Sequence, residues 1–344
     1  MPSSKNRVVI ASAGGRKTTY IIEEALKKTE EKILITTYTL ENLDQINSYL
    51  IEQNGHVPKN ITALSWFTFL LRDGVRPYQN YMLANKKVRS VDFQSRPSIY
   101  IKKSEQAYFI NSASNIYRDR VSDFVCEGNK VTTGLIIKRL EKVFDYIYVD
   151  EIQDLAGWDQ EFVELLLLSS IKITLVGDPR QATYTTNNAN KNKATKGKHM
   201  KQWVDELSKK GILDIEERVE CFRSNQDICN FADRLFPQLP KSVSKNDART
   251  GHDGIFFIKP KELPSYFAKY KPKILRWDRR SDTLDFPAMN IGLSKGRTFE
   301  RVVIFPTNPM KEYLRTKDIE KAGDISKLYV AITRAKHSVA FVIG

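Results

Sequence analysis

Short runs of Val, Ile and Tyr alternate with longer amphipathic stretches along most of this chain, and that alternation limits the fold more than any other feature. Residues 8–10, 32–36, 61–64, 146–149 and 173–176 read as buried strands, and residues 19–29 and 40–53 between them read as helices. Strands separated by helices in this order predict an α/β fold, a mostly parallel sheet covered by helices. In such sheets ligands bind beyond the carboxyl ends of the strands. Strand-like runs return at 218–222, 254–258, 273–277, 301–305 and 338–343, and 344 residues exceed what one core usually supports. Two domains are therefore expected, 1–205 and 206–344. Residues 69–140 interrupt the rhythm. They are polar and aromatic (Tyr78, Tyr81, Phe93, Tyr100, Tyr108, Tyr117), and a small helical insertion in the first domain is expected there. Residues 185–201, mostly Thr, Asn, Ala and Lys, read as a flexible basic loop.

Composition narrows the partners. No apolar run has the roughly 18 to 20 residues that span a bilayer, so no membrane partner is expected. Residues 1–7 run directly into the first strand with no signal-peptide core, and the cytoplasm is the expected compartment. Cys126, Cys221 and Cys229 are too scattered for a disulfide framework or a zinc site and read as reduced thiols. A formal net charge of +14 favours polyanions, nucleic acid first, although a generic solvated basic surface has the same charge. The choice falls to the motifs.

After the first strand, Ala11-Ser12-Ala13-Gly14-Gly15-Arg16-Lys17-Thr18-Thr19 turns into a helix. A glycine-bearing turn at a helix N-terminus aims backbone N–H groups at an anion, and the helix dipole adds to the attraction. Ser12, Ala13, Gly14, Gly15, Arg16, Lys17, Thr18 and Thr19 are thus candidates for binding the phosphates of ATP, with Lys17 reaching the outer phosphates and Thr18 ligating Mg²⁺. Ala11 and Arg16 stand where a phosphate loop usually has glycine, and an ordinary strand-to-helix turn is the alternative. The run Tyr146-Ile147-Tyr148-Val149 ends in Asp150-Glu151-Ile152-Gln153-Asp154. Asp150 at the strand end is a candidate magnesium ligand, and Glu151 a candidate base for the attacking water. Leu175-Val176-Gly177-Asp178-Pro179-Arg180-Gln181 again passes from strand to turn, which places Gln181 to sense the γ-phosphate or the water.

Asp150 to Asp154, Gly177 to Gln181 and Tyr329-Val330-Ala331-Ile332-Thr333-Arg334-Ala335-Lys336 resemble motifs II, III and VI of the UvrD/Rep/PcrA group of superfamily 1 helicases. Thr37-Tyr38-Thr39 resembles motif Ia, and Ser65-Trp66-Phe67-Thr68 the DNA-contact motif that follows it. Cys221-Phe222-Arg223-Ser224 resembles motif IV, and Ser294-Lys295-Gly296 with Phe299 motif V. The resemblance implies two RecA-like P-loop domains closing on ATP and Mg²⁺, with Arg223 and Arg334 brought to the γ-phosphate from the second. It also implies a single-strand track with Tyr38, Trp66 and Tyr184 as stackers and Thr37, Thr39, Ser65, Ser294 and Lys295 as phosphate contacts. Core packing is the alternative for Trp66 and Phe67. Single-stranded or tailed DNA is the implied partner.

Four departures qualify that picture. Arg16 replaces a glycine, either straining the backbone or covering the phosphates. No adenine-reading segment precedes the first strand, so base selectivity stays open. Thr186 stands where the group has a base-stacking Trp, and Thr298 where it has a sugar-contacting Glu. The stretch between Ser224 and Ile291 is too short for the group's large accessory subdomain. An ATP-driven DNA translocase or helicase is the first expectation. A nucleotide-gated sensor that controls a partner such as a nuclease in anti-phage defence is the second, and a non-catalytic binding module the third.

Overall fold

The computed structural model describes residues 5–98, 100–187 and 191–344. They form two compact units. The first comprises Met1–Ile10, Lys17–Pro179 and Tyr184–Glu216, and the second Ala11–Arg16, Arg180–Thr183 and Glu217–Gly344. The phosphate-loop segment and the Gln181 turn therefore pack as parts of the second unit, although their neighbours in sequence belong to the first.

The first unit is built on strands β1 (Arg7–Ala11), β2 (Ile33–Thr37), β3 (Ile61–Ser65), β4 (Tyr146–Val149), β5 (Lys172–Gly177) and β6 (Asp214–Arg218). They lie in the order β3-β2-β4-β5-β1-β6. The β2–β3, β2–β4, β4–β5 and β1–β5 pairs are parallel. Residue parity explains why both faces are covered. Val8, Ile10, Leu34, Ile147, Val149, Ile173 and Leu175 enter one core, while Val9, Ile33, Ile35, Tyr148 and Val176 enter the other. Helices α1 (Lys17–Leu26) and α2 (Leu40–Asn54) follow the first two strands. Thr39 caps α2 through the amide of Asn42, and Gly55 ends it at φ 81°.

The expected insertion is only partly helical. Helices α3 (Val121–Val131) and α4 (Leu135–Val143) are regular, but residues 76–120 hold short turns and one two-residue parallel ladder, Val91–Asp92 with Ile116–Tyr117. Asx-type bonds account for this. Asp92 accepts from the amides of Gln94 and Ser95, and Asn111 from those of Ala113 and Asn115, so local turns displace helix. Helices α5 (Trp158–Leu167) and α6 (Met200–Lys209) complete the unit. Part of the 185–201 loop lies outside the described residues.

The second unit has its own parallel sheet of β7 (Gly254–Ile258), β8 (Lys273–Arg276), β9 (Ala288–Asn290), β10 (Phe299–Ile304) and β11 (Ala335–Val342), in the order β7-β11-β10-β8-β9. The same parity holds. Leu275, Val302, Ile304, Val339 and Phe341 face one core, and Ile274, Val303, Ala340 and Val342 the other. Helices α7 (Gln226–Asp233), α8 (Leu263–Tyr270), α9 (Asn308–Thr316) and α10 (Ile325–Ile332) flank it. Asn225, Thr307 and Asp324 cap α7, α9 and α10. Strand β9, a short edge strand, has too little apolar patterning to be read from sequence. Among the described residues no helix is long and apolar enough to cross a membrane.

Asn6 sets the start of the first sheet. Its amide donates to the carbonyls of Leu167 at 2.8 Å and Ile212 at 3.1 Å, and its oxygen accepts from the Ile173 amide at 3.1 Å. Asn6→Ala leaves buried backbone groups without these partners, and a urea titration is expected to show the first unit destabilised by about 3 kcal/mol.

Candidate nucleotide site

In the first unit, Lys17 and Thr18 open α1, whose first turn contains no acidic residue and so leaves the positive end of the helix dipole to an anion. The Lys17 side chain is buried. The Thr18 hydroxyl donates to Asp150 Oδ2 at 2.7 Å. Asp150, buried just past β4, accepts the Glu151 amide through its other oxygen at 2.9 Å. Burial, with the neighbouring Glu151 charge, pushes the Asp150 carboxyl up to about 6, against the opposing pull of Thr18 and Lys17. Such a carboxylate is costly to ionise without a compensating cation.

These groups fit Mg²⁺, which takes hard oxygen ligands and keeps several waters. Among the described residues no group of three or more His, Cys, Asp or Glu could hold a metal ion. A magnesium ion here would rest on Thr18 and Asp150, with nucleotide phosphates and water as its other ligands.

Glu151 adopts a left-handed conformation at φ 58°, unusual for a side-chain-bearing residue. The Gln153 amide donates to the Glu151 carboxylate, and Gln153 Oε1 accepts the Asp178 amide at 3.0 Å. Gln153 thereby links the strand-end acids to the turn after β5. Gly177 makes room for it: a Cβ there would lie 2.6 Å from Gln153 Oε1 and 2.7 Å from Ile152 Cγ1. Gln153 was legible as a motif letter, but its bridging role depends on two strands being adjacent.

In the second unit, Gly14 has φ 78°, and a Cβ on it would meet Arg223 Cβ at 2.7 Å. Gly15 donates to the Ser12 carbonyl at 3.0 Å, and the Gly14 carbonyl accepts from Phe222 at 3.0 Å. The Ala13 amide donates to the Tyr329 hydroxyl at 3.3 Å. Arg16 does adopt the glycine-like angle, φ 53°, and its guanidinium lies 4.0 Å from the centre of the Phe222 ring. The cation–π contact offsets part of a backbone cost of about 1–3 kcal/mol. Arg334 is enclosed. It donates to Gln181 Oε1 at 3.0 Å, to the Val330 carbonyl at 3.0 Å and to Thr333 Oγ1 at 3.3 Å, while Arg223 donates to the Thr333 carbonyl at 3.2 Å. Thr333 therefore holds the two candidate fingers near each other. Ser12 is buried, and Thr19 is half-buried in α1.

The candidate strand contacts divide by exposure. Thr37 and Ser65 end the paired strands β2 and β3 in register, with Tyr38 and Thr39 directly beyond. Thr37 and Ser65 are buried, and the Thr39 and Ser65 hydroxyls cap helices through the amides of Asn42 and Thr68. Trp66 is fully enclosed between Phe69 and Phe162 and donates to Asp159 Oδ1 at 2.7 Å. It offers no ring face to a base; it opens the short helix Trp66–Phe69, capped by Ser65, and its indole is packed into the core. Ser294 is also enclosed, donating to the Ile291 carbonyl at 2.7 Å. Tyr38, Tyr184 and Lys295 are half-buried, with Tyr38 packed edge-on against Phe67 at 5.8 Å.

Residues 70–202 match the UvrD/REP helicase N-terminal domain family. Among solved structures, the crystal structure of arterivirus nonstructural protein 10, a helicase, is similar at TM-score 0.51 and 12% identity, covering 98% of this chain and 59% of that one. The complex of that arterivirus protein with DNA is similar at TM-score 0.50 and 11% identity, covering 98% and 61%. This chain thus spans about three-fifths of the length of those helicases. No curated protein matches the sequence.

Asp150 yields a signed stability prediction. Its carboxyl ionises near 3.8 in the unfolded chain and about 6 in the folded one, so the burial cost is absent below the first value and complete above the second. At about pH 8 that cost is roughly 3 kcal/mol, and Asp150→Asn is expected to raise Tm by several degrees; near pH 3 it should not. Mg²⁺ with ADP should then raise the Tm of the native chain and leave the variant unmoved. Thermal melts at both pH values, with and without Mg²⁺–ADP, check the sign.

Proposed function

We propose that this chain is a UvrD-like member of the superfamily 1 helicases and a Mg²⁺-dependent ATPase driven by single-stranded DNA. The observation that carries the reading is the hydrogen bond from half-buried Thr18 to buried Asp150, beside a Glu151 whose carboxylate is held by Gln153. Lys17 and the N-terminus of α1 would bind the phosphates, and magnesium would supply charge neutralisation at the transferring group. Glu151 accepts the proton of the attacking water and Gln181 orients it. Arg223 and Arg334 stabilise the charge on the transferring phosphoryl group. Arg334 now holds Gln181, so nucleotide binding exchanges that hydrogen bond for a phosphate contact.

A DNA strand would engage Tyr38 and Tyr184 by stacking and Thr39 and Lys295 through its backbone. The chain's excess of Lys and Arg supports polyanion binding. One observation favours a second reading. Thr186 is wholly buried and bonded to Asp159, so it is no stacking platform for stepping along a strand. On that reading ATP turnover reports DNA to a partner such as a nuclease, in defence against phage.

Glu151→Gln is expected to lower DNA-stimulated ATP hydrolysis at least about 100-fold while nucleotide binding persists. Negligible, equal hydrolysis in native chain and variant, with and without DNA, sinks the proposal. Arg334→Ala is expected to cut turnover by about 10³; an unchanged rate removes Arg334 from the chemistry. A tailed-duplex displacement assay separates the two outputs: displacement by the chain alone supports a helicase, and hydrolysis without displacement supports the sensor.

A further inference from the structure

Apart from the proposed catalytic residues, the first unit buries the carboxylate of Asp159 in the first turn of α5. Burial raises its pKa, and hydrogen bonds from three distant segments oppose that rise. Trp66 donates from the turn after β3 at 2.7 Å, Ser122 from α3, and Thr186 from the segment beyond β5. The Thr186 hydroxyl oxygen also accepts the Ala156 amide at 3.0 Å, and the Thr186 amide donates to the Asp154 carbonyl at 2.9 Å. The Asp154 amide in turn donates to the Glu151 carbonyl at 3.0 Å.

A continuous line of bonds therefore runs from Glu151 through Asp154, Thr186 and Asp159 to Trp66, and all but Glu151 are buried. One of these segments carries a candidate strand contact: Tyr184, half-buried, lies two residues before Thr186. Buried polar groups lose heavily when one partner moves away, so these segments favour moving together. A hydrophobic side chain at 186 could fill the same space without tying them.

We infer that Asp159 and Thr186 are positioning residues that transmit strand engagement at Tyr184 to the water-activating Glu151. The inference rests on the ATPase reading above and adds to it the route of DNA stimulation.

The test compares ATP hydrolysis with and without oligo-deoxythymidylate for the native chain, Thr186→Val, Thr186→Ser and Ser122→Ala, alongside their melting temperatures. Thr186→Val is expected to keep the basal rate and lose at least about fivefold of the stimulation. Thr186→Ser, which restores the hydroxyl, should recover it. Ser122→Ala removes a bond to the same carboxylate from a helix with no candidate strand contact; it should lower Tm and leave stimulation intact. Asp159→Asn replaces Thr186→Val if the latter does not fold, with the same loss expected. Undiminished stimulation in Thr186→Val, or a loss in Ser122→Ala as large as its own, overturns the inference. A native chain that hydrolyses ATP without any DNA stimulation overturns the strand-driven reading as well, so the two failures are distinguishable.

Discussion

The hydrogen bond from Thr18 to Asp150 joins the start of a helix to the end of a strand, and the proposed chemistry depends on it. It requires β4 to lie inside the sheet, so that Asp150 emerges buried, and α1 to begin where its second residue can reach that carboxylate. Parallel register meets both needs, because Val149 is paired with Thr36 on one side and Leu175 on the other. The sheet spends its apolar pattern on holding an acid at an unfavourable position. That instability is what a divalent cation would relieve.

In each unit one candidate site residue holds the backbone in a conformation that side chains seldom adopt. Glu151 and Arg16 both have positive φ without being glycine. Each is bound by a specific partner, Gln153 for the first and Phe222 for the second. Glycine is kept where a side chain would collide with another segment, at Gly14 against Arg223 and at Gly177 against Gln153. The unusual Arg16 is thus compatible with a phosphate-loop turn, at the cost of a backbone angle that its ring contact partly offsets.

Much of the fold was legible because buried parallel strands need continuous runs of Val, Ile and Leu, and these stood out at β1 to β5. The acids at the end of β4 stood out as charged residues after an apolar run, whereas Arg223 and Arg334 came only from the motifs they resemble. Less was visible where meaning depends on distant partners. Trp66 looked like a stacker and is a core residue, since its burial depends on Phe69, Phe162 and Asp159. Thr186 looked like a lost platform, and its bonds to Asp159 and Asp154 could not be read from a Thr in a polar loop. The short edge strand β9 and the turn-rich part of the insertion lacked any period to detect.

The central claim is that Thr18 and Asp150 form a magnesium-dependent nucleotide site. Calorimetric titration of a non-hydrolysable ATP analogue into the chain, with Mg²⁺ and then with Mg²⁺ chelated, tests it most directly. Saturable binding that weakens at least about tenfold when Mg²⁺ is removed, and that loses this dependence in Thr18→Val, is the predicted result. Binding of equal strength with and without Mg²⁺, or none in either condition, would contradict the account.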